Sequence, residues 1–260
     1  MRDKKFNRRL QSVVLGIFLV LGVNSNSEAI DFSDWDRLIK KYVAPKAVDG
    51  ILINAIDYPN LKKDPIFLSL ASRLSSYTLE SLESEQSKLT FWINVYNILA
   101  AKMITDHYPI ESIKDAGSLF KSVWKQPAGK VGGKERTLND IEHEILRKMN
   151  EPRIHVAIVC ASVSCPDLHL EAYTVEKLNE QLDDQMKKFL QSREKGMKLD
   201  EKKNRVYLSS IFKWFKEDFE SKGGVLKYIS RYVSAEEKKA LNDSTLKISY
   251  MDYNWNINGS

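Results

Sequence analysis

Two cysteines, Cys160 and Cys165, stand with four residues between them in "VCASVSCPDL" (159–168). A cysteine nucleophile acts as the thiolate, so it needs a base or a cation to lower a thiol pKa from about 8.5. Four histidines, 107, 143, 155 and 169, could serve. His143 sits in "IEHEIL" between Glu142 and Glu144, where a carboxylate holding one ring nitrogen leaves the other free for a proton. Adjacent helical residues diverge by about 100°, so Glu142 need not orient His143 itself, and a solvated surface histidine is the plainer reading. His155 lies in an apolar run, where a buried structural role competes with support of a catalytic group. His107 ends a helix and reads as structural.

Other roles for the cysteines are open. A Cys160–Cys165 disulfide closes so small a loop that it restricts the unfolded chain little. A zinc site wants a second Cys/His pair at ligand spacing, and no such motif occurs. A redox pair is disfavoured by CxxxxC in place of CxxC. Two reduced thiols, Cys160 buried and Cys165 exposed in a turn, fit a strand followed by Pro166.

The elements that must position these groups follow from periodicity. "FSDWDRLIKKYV", "PIFLSLASRLSSY" and "KLTFWINVYNILAAKMITDHYP" read as helices, the first capped by Ser33 and the last stopped by Pro109. Asn94 and Asn97 share one face of that last, otherwise apolar helix. Each either ties the helix to loop backbone or walls a cleft. "GKVGGKERT" reads as a hairpin turning at Gly132-Gly133, and "MKLDEKKNRVYL" as a second one. "TLNDIEHEILRKMN" is a helix with Thr137 and Asp140 as its capping pair. "RIHVAIVC" (153–160), short and β-branched, reads as a buried strand. A helix over "YTVEKLNEQLDDQMKKFLQ", short helices including one capped by Ser234, and a strand "LKISYMDYNW" complete the chain. Helices early and hairpins later predict an α+β fold.

The N-terminus differs from the rest. "MRDKKFNRRL" is basic, Val13 to Val23 is an unbroken apolar run, and Ser27 and Ala29 make a small-x-small site. This describes a signal peptide over 1–29, with an apolar run well short of the ~20 residues of a spanning helix. The expectation is an exported protein, periplasmic or secreted, with one domain over 30–260 and no stable membrane span after cleavage. Most of the net charge of +5 lies in that leader, and no clustered basic face follows it, which argues against nucleic acid.

Several ordered motifs resemble the domain of unknown function 547 family of exported bacterial proteins: "FWINVYN" (91–97), "YPIESIKD" (108–115), "LNDIEHEILR" (138–147), "RIHVAIVCASVSCPDL" (153–168), "IFKWFKEDF" (211–219) and "YMDYNWNIN" (250–258). The resemblance implies a fold similar to papain-like cysteine hydrolases in a rearranged chain order. It further implies Cys165 as nucleophile and His143 as base, with Glu142 as the candidate third member. Asp167 departs from the family pattern, and a carboxylate beside the thiol opposes thiolate formation unless a cation offsets it.

The expected function is therefore a cysteine-dependent hydrolase of an amide, peptide, γ-glutamyl or thioester bond, acting through an acyl-enzyme without cofactor or metal. Backbone N–H groups of the 162–165 turn are the expected oxyanion donors, Asn97 a polar wall, and Ser162, Ser164 and His155 further lining. The alternative is a non-catalytic scaffold that binds a peptide or partner. Composition says nothing of oligomeric state.

Overall fold

The structure, a computed structural model, describes residues 31–118 and 122–259. The expected leader lies outside the described residues. Among the described residues no helix is long and apolar enough to cross a membrane.

Helix α1 (Ser33–Tyr42) leads into a hairpin of β1 (Val43–Val48) and β2 (Ile51–Ile56). This hairpin adds to the two expected ones. Its signal is Asp49-Gly50, both at positive φ, the dipeptide that a tight antiparallel turn favours. Ser33 is not the N-cap of α1. Phe32 holds that position without a side-chain bond, and Ser33 donates to Asp31 instead. The single turn α2 (Tyr58–Leu61) and helix α3 (Pro65–Ser75) follow, the latter capped by Asp64 with Pro65 in its first turn.

Helix α4 (Glu85–His107) is the centre of the molecule. Its residues from Leu89 to Ala101 are all buried, as its apolar circumference requires. The hairpin of β3 (Pro127–Val131) and β4 (Lys134–Thr137) turns at Gly132-Gly133 as expected. Thr137 and Asp140 cap the next segment reciprocally, each backbone N–H donating to the other side chain. That segment, Asp140–Leu146, is a π-helix, a rare form that recurs at functional sites.

The 153–160 strand is not formed. Ile154–Ala157 makes a helical turn, α5, and the chain extends only from Ile158. Pro152 starts the turn, and the N–H groups of Ile154, His155 and Val156 bond back to Glu151, Pro152 and Arg153. Where a strand would need a ladder partner, Asn97 serves instead. Its Nδ2 donates to Ala157 O (3.0 Å) and its Oδ1 accepts Val159 N–H (2.8 Å). Period alone cannot separate a short buried strand from a buried helical turn, and here burial beside α4 decided.

Helix α6 (Leu178–Gln191) precedes a three-stranded sheet ordered β5 (Met197–Asp200), β6 (Arg205–Leu208), β7 (Lys247–Tyr250). β5 and β6 form the expected hairpin, but β7 joins parallel to β6. Between them lie α7 (Ile211–Trp214), α8 (Val225–Ile229) and α9 (Ala235–Leu241), the last capped by Ser234 and Glu237 as expected. The whole is a mixed α+β arrangement. One apolar core surrounds α4, and a second gathers α6, the β5–β6 hairpin and the short helices after it.

Candidate functional site

The two cores meet at a cavity of about 90 Å³ whose wall includes both cysteines. Tyr96 and Ile158 line it from the first core, and Ile211, Phe215 and Tyr253 from the second. Trp124, Trp214, Glu142, His155, Cys160 and Cys165 complete the wall.

The cysteine loop is held rigidly. The closing segment runs beside it, with Asn258 N–H donating to Ala161 O, Val163 N–H to Asn256 O and Ser164 N–H to Asn254 O. Ser164 Oγ accepts Asn254 N–H (2.8 Å), so this buried serine anchors the strap and does not line the cavity. Cys165 N–H closes the turn onto Ser162 O. The N–H groups of residues 163, 164 and 165 are thus all consumed inside the protein. The expected oxyanion role of the 162–165 turn does not hold for them.

Both cysteines are free thiols, but their exposure is the reverse of the expectation. Cys165 is 3 % exposed, and its Sγ accepts the Cys160 backbone N–H at 3.0 Å. Cys160 is the half-buried one. The Cys160 sulfur lies 3.0 Å from Ser162 Oγ and 3.2 Å from the Tyr253 hydroxyl. A hydrogen bond from the Cys165 thiol, then those from Ser162, Tyr253 and the Ser162 backbone, outweigh burial and hold the Cys160 thiol well below its usual range. Burial and the neighbouring Cys160 push the Cys165 thiol up. Two adjacent thiols cannot both ionise cheaply, and the donors select Cys160.

Asp167 does not oppose this. Its carboxylate is paired with the Lys195 ammonium at 2.7 Å, and Lys195 is 2 % exposed. Asn54 N–H donates to the same oxygen at 3.0 Å. A cation from the sequence-distant 192–196 turn supplies the offset that the local sequence lacks.

The π-helix sends Glu142 and His143 different ways. Glu142 is buried in the cavity, with its carboxylate 3.4 Å from the Tyr96 hydroxyl. Burial first, then the charge of Cys160, raises its pKa to about 7. His143 does not reach the cavity. Its Nδ1 accepts from Arg147 at 2.8 Å, and burial and that guanidinium depress its pKa.

The histidine that does line the cavity is His155, on α5. Its Nε2 is 2.7 Å from an Asp218 oxygen. An ionised carboxylate only accepts, so Nε2 carries the proton and Nδ1 keeps a lone pair. That Nδ1 is buried and has no protein partner. The ring stacks on Phe215 at 4.0 Å, which fixes its plane. Burial lowers the His155 pKa more than Asp218 raises it, so the ring is neutral near pH 7. Asp218 is itself gripped by Arg147 through Nε and Nη2, both at 2.7 Å. Burial would raise the Asp218 pKa, but His155 and Arg147 hold it far below the usual range.

Asn97 is buried behind the cavity and lines no part of it; it fixes the backbone that leads to Cys160. Asn94 acts likewise on Tyr173, donating to its carbonyl and accepting its N–H. Ser162 touches the Cys160 sulfur. Asp218, Arg147 and Tyr253 escaped the sequence reading because nothing local marks them. Asp218 and Tyr253 do fall within the quoted "IFKWFKEDF" and "YMDYNWNIN" motifs. Among the described residues no cluster of three His, Cys, Asp or Glu side chains is placed to hold a metal ion.

Residues 79–190 match the family model described as protein of unknown function, DUF547. Over that stretch the chain is similar to the DUF547 family. It covers α4, the π-helix, both cysteines and α6, whereas Asp218 and Tyr253 lie beyond it. No curated protein and no solved structure matches the chain.

Proposed function

We propose that this DUF547-type protein is a cysteine-dependent acyl hydrolase that acts on an amide or thioester through Cys160. The observation that carries the reading is the convergence on one cavity of the Cys160 thiol, within reach of the Ser162 and Tyr253 hydroxyls, and a His155 ring oriented by the half-buried Asp218 carboxylate. Nucleophile, base and orienter are the three parts that this chemistry needs.

In the proposed reaction His155 Nδ1 takes the Cys160 proton, directly or through one water. The sulfur then attacks the carbonyl carbon, and the C=O π pair moves onto oxygen. The Tyr253 hydroxyl and the neutral form of Glu142 are the donors facing that oxygen, in place of backbone N–H groups. The C=O re-forms as the C–N or C–S bond breaks, and the leaving atom takes the proton from His155. Water adds to the acyl-sulfur carbon with His155 as base, releasing a carboxylic acid and the free thiol. Small peptides and γ-glutamyl compounds are within this substrate class. Kinship with papain-like cysteine hydrolases, and export to the periplasm or medium, belong to the same proposal.

The test is exposure of the protein to p-nitrophenyl acetate with peptide mass spectrometry. The expected result is an acetyl group on Cys160 that forms and decays in wild type, and no burst of nitrophenol in Cys160→Ser or His155→Ala. An acetyl group on Cys165 alone, or on neither thiol, would sink the mechanism and leave the binding-scaffold reading.

A further inference from the structure

The thiol cavity is far smaller than the ~300 Å³ and more of ordinary small-molecule sites. A substrate therefore inserts only its carbonyl tip, and the remainder lies against the rim. That rim is aromatic. Trp214 is 47 % exposed although it stands beside two other aromatic rings. It stands 4.8 Å from the Tyr253 ring and 5.7 Å from Trp255, nearly parallel to the latter at 21°. Trp124 meets Trp255 edge-on at 5.6 Å, so Trp124, Trp214 and Tyr253 join the cavity wall to one aromatic shelf.

One charge narrows what the shelf accepts. The Lys114 ammonium sits 3.7 Å from the Trp255 ring centroid. The shelf's cation–π position is already filled from within, and that charge repels a second cation. We infer that the Trp214–Tyr253–Trp255 shelf is the specificity subsite of the thiol cavity, and that it takes a neutral or anionic planar ring joined within a few bonds to the reacting carbonyl. Ring stacking and edge contacts supply the affinity, and the narrow cavity confines the chemistry to the tip. The inference rests on the Cys160 reading for its substrate, but the shelf itself can be probed separately.

The experiment alkylates the full protein with iodoacetamide, N-hexyl-iodoacetamide and N-benzyl-iodoacetamide, in which the sulfur displaces iodide from the same carbon. The expected result is saturable labelling of Cys160 by the benzyl reagent, at least about tenfold faster than by the other two at low concentration. In Trp214→Ala that ratio falls to near one. Equal rates for the benzyl and hexyl reagents in wild type overturn the ring subsite while leaving the reactive thiol intact. If Cys160 reacts with none of the three, the thiol reading fails. The shelf is then decided by saturation-transfer NMR of N-benzylacetamide: a signal lost in Trp214→Ala upholds it, and no signal in wild type overturns it.

Discussion

The Cys160 backbone N–H points at the Cys165 sulfur, 3.0 Å away, so the second cysteine of the motif faces back onto the first. The loop spends Cys165 on ordering Cys160. The neighbouring Cys165 thiol lowers the Cys160 pKa while Cys160 raises that of Cys165, so the pair is asymmetric in acidity although both line one cavity.

Alkylation across pH should read that asymmetry directly. Cys160 is expected to react with iodoacetamide at pH 7, where a free thiol of pKa about 8.5 is mostly protonated, while Cys165 stays unmodified in the folded protein. Tyr253→Phe removes one donor and should move the Cys160 profile to higher pH. Preferred labelling of Cys165 in the folded protein would refute the assignment.

Glu142 should make stability fall at alkaline pH. Its folded pKa of about 7 lies above the ordinary 4.5, so the folded state holds the extra proton. The contribution is fully present below about pH 4.5 and is lost as pH rises through about 7, a difference of about 3 kcal/mol. Glu142→Gln should therefore match or exceed wild type in urea midpoint at pH 8.5, with the gap closing at pH 5. Parallel pH profiles for the two proteins would contradict the buried carboxyl.

Asp218→Asn breaks charge-assisted bonds to His155 and Arg147 at once. The expected cost is about 2–3 kcal/mol in unfolding free energy. An amide can donate to His155 and so favour the wrong tautomer, which on the proposed mechanism should abolish acetylation of Cys160 by p-nitrophenyl acetate. The proton NMR signal of the His155 ring N–H near Asp218 should vanish. An unchanged signal would separate Asp218 from His155.

Lys195→Met should cost about 1–3 kcal/mol because it leaves the half-buried Asp167 carboxylate without its cation beside the cysteine loop. The double variant Lys195→Met with Asp167→Asn should recover much of that loss. A double variant no more stable than the single would show that the lysine stem, rather than the charge pair, matters.

Asn97→Ala leaves Ala157 O and Val159 N–H without partners in the interior, a loss of about 2–3 kcal/mol by urea unfolding. Its effect on Cys160 reactivity should follow from the displaced backbone. Loss of reactivity without loss of stability would instead place Asn97 in the cavity chemistry.

The sequence by itself determined the helix α4, the glycine turn of β3–β4, the β5–β6 hairpin and the caps at Thr137 and Ser234. These rest on local propensity, period and capping, which act over a few residues. It also marked the cysteine loop and the Glu142 segment as candidate site segments, because polar and reactive types there interrupt apolar runs. Tertiary structure alone decided the partners. Residues 154–157 form a helical turn closed by local bonds, and Asn97, some sixty positions earlier, pairs Ala157 O and Val159 N–H where the chain leaves it. Cys160 takes the place of Cys165 as the more acidic thiol because the fold sets the Cys165 thiol beside it and gathers the Ser162 and Tyr253 hydroxyls at its sulfur. His155 displaces His143 because Asp218 and Arg147 together hold one ring at the cavity and turn the other away. Hydrogen bonding and burial depend on distance in space, and separation along the chain carries no record of it.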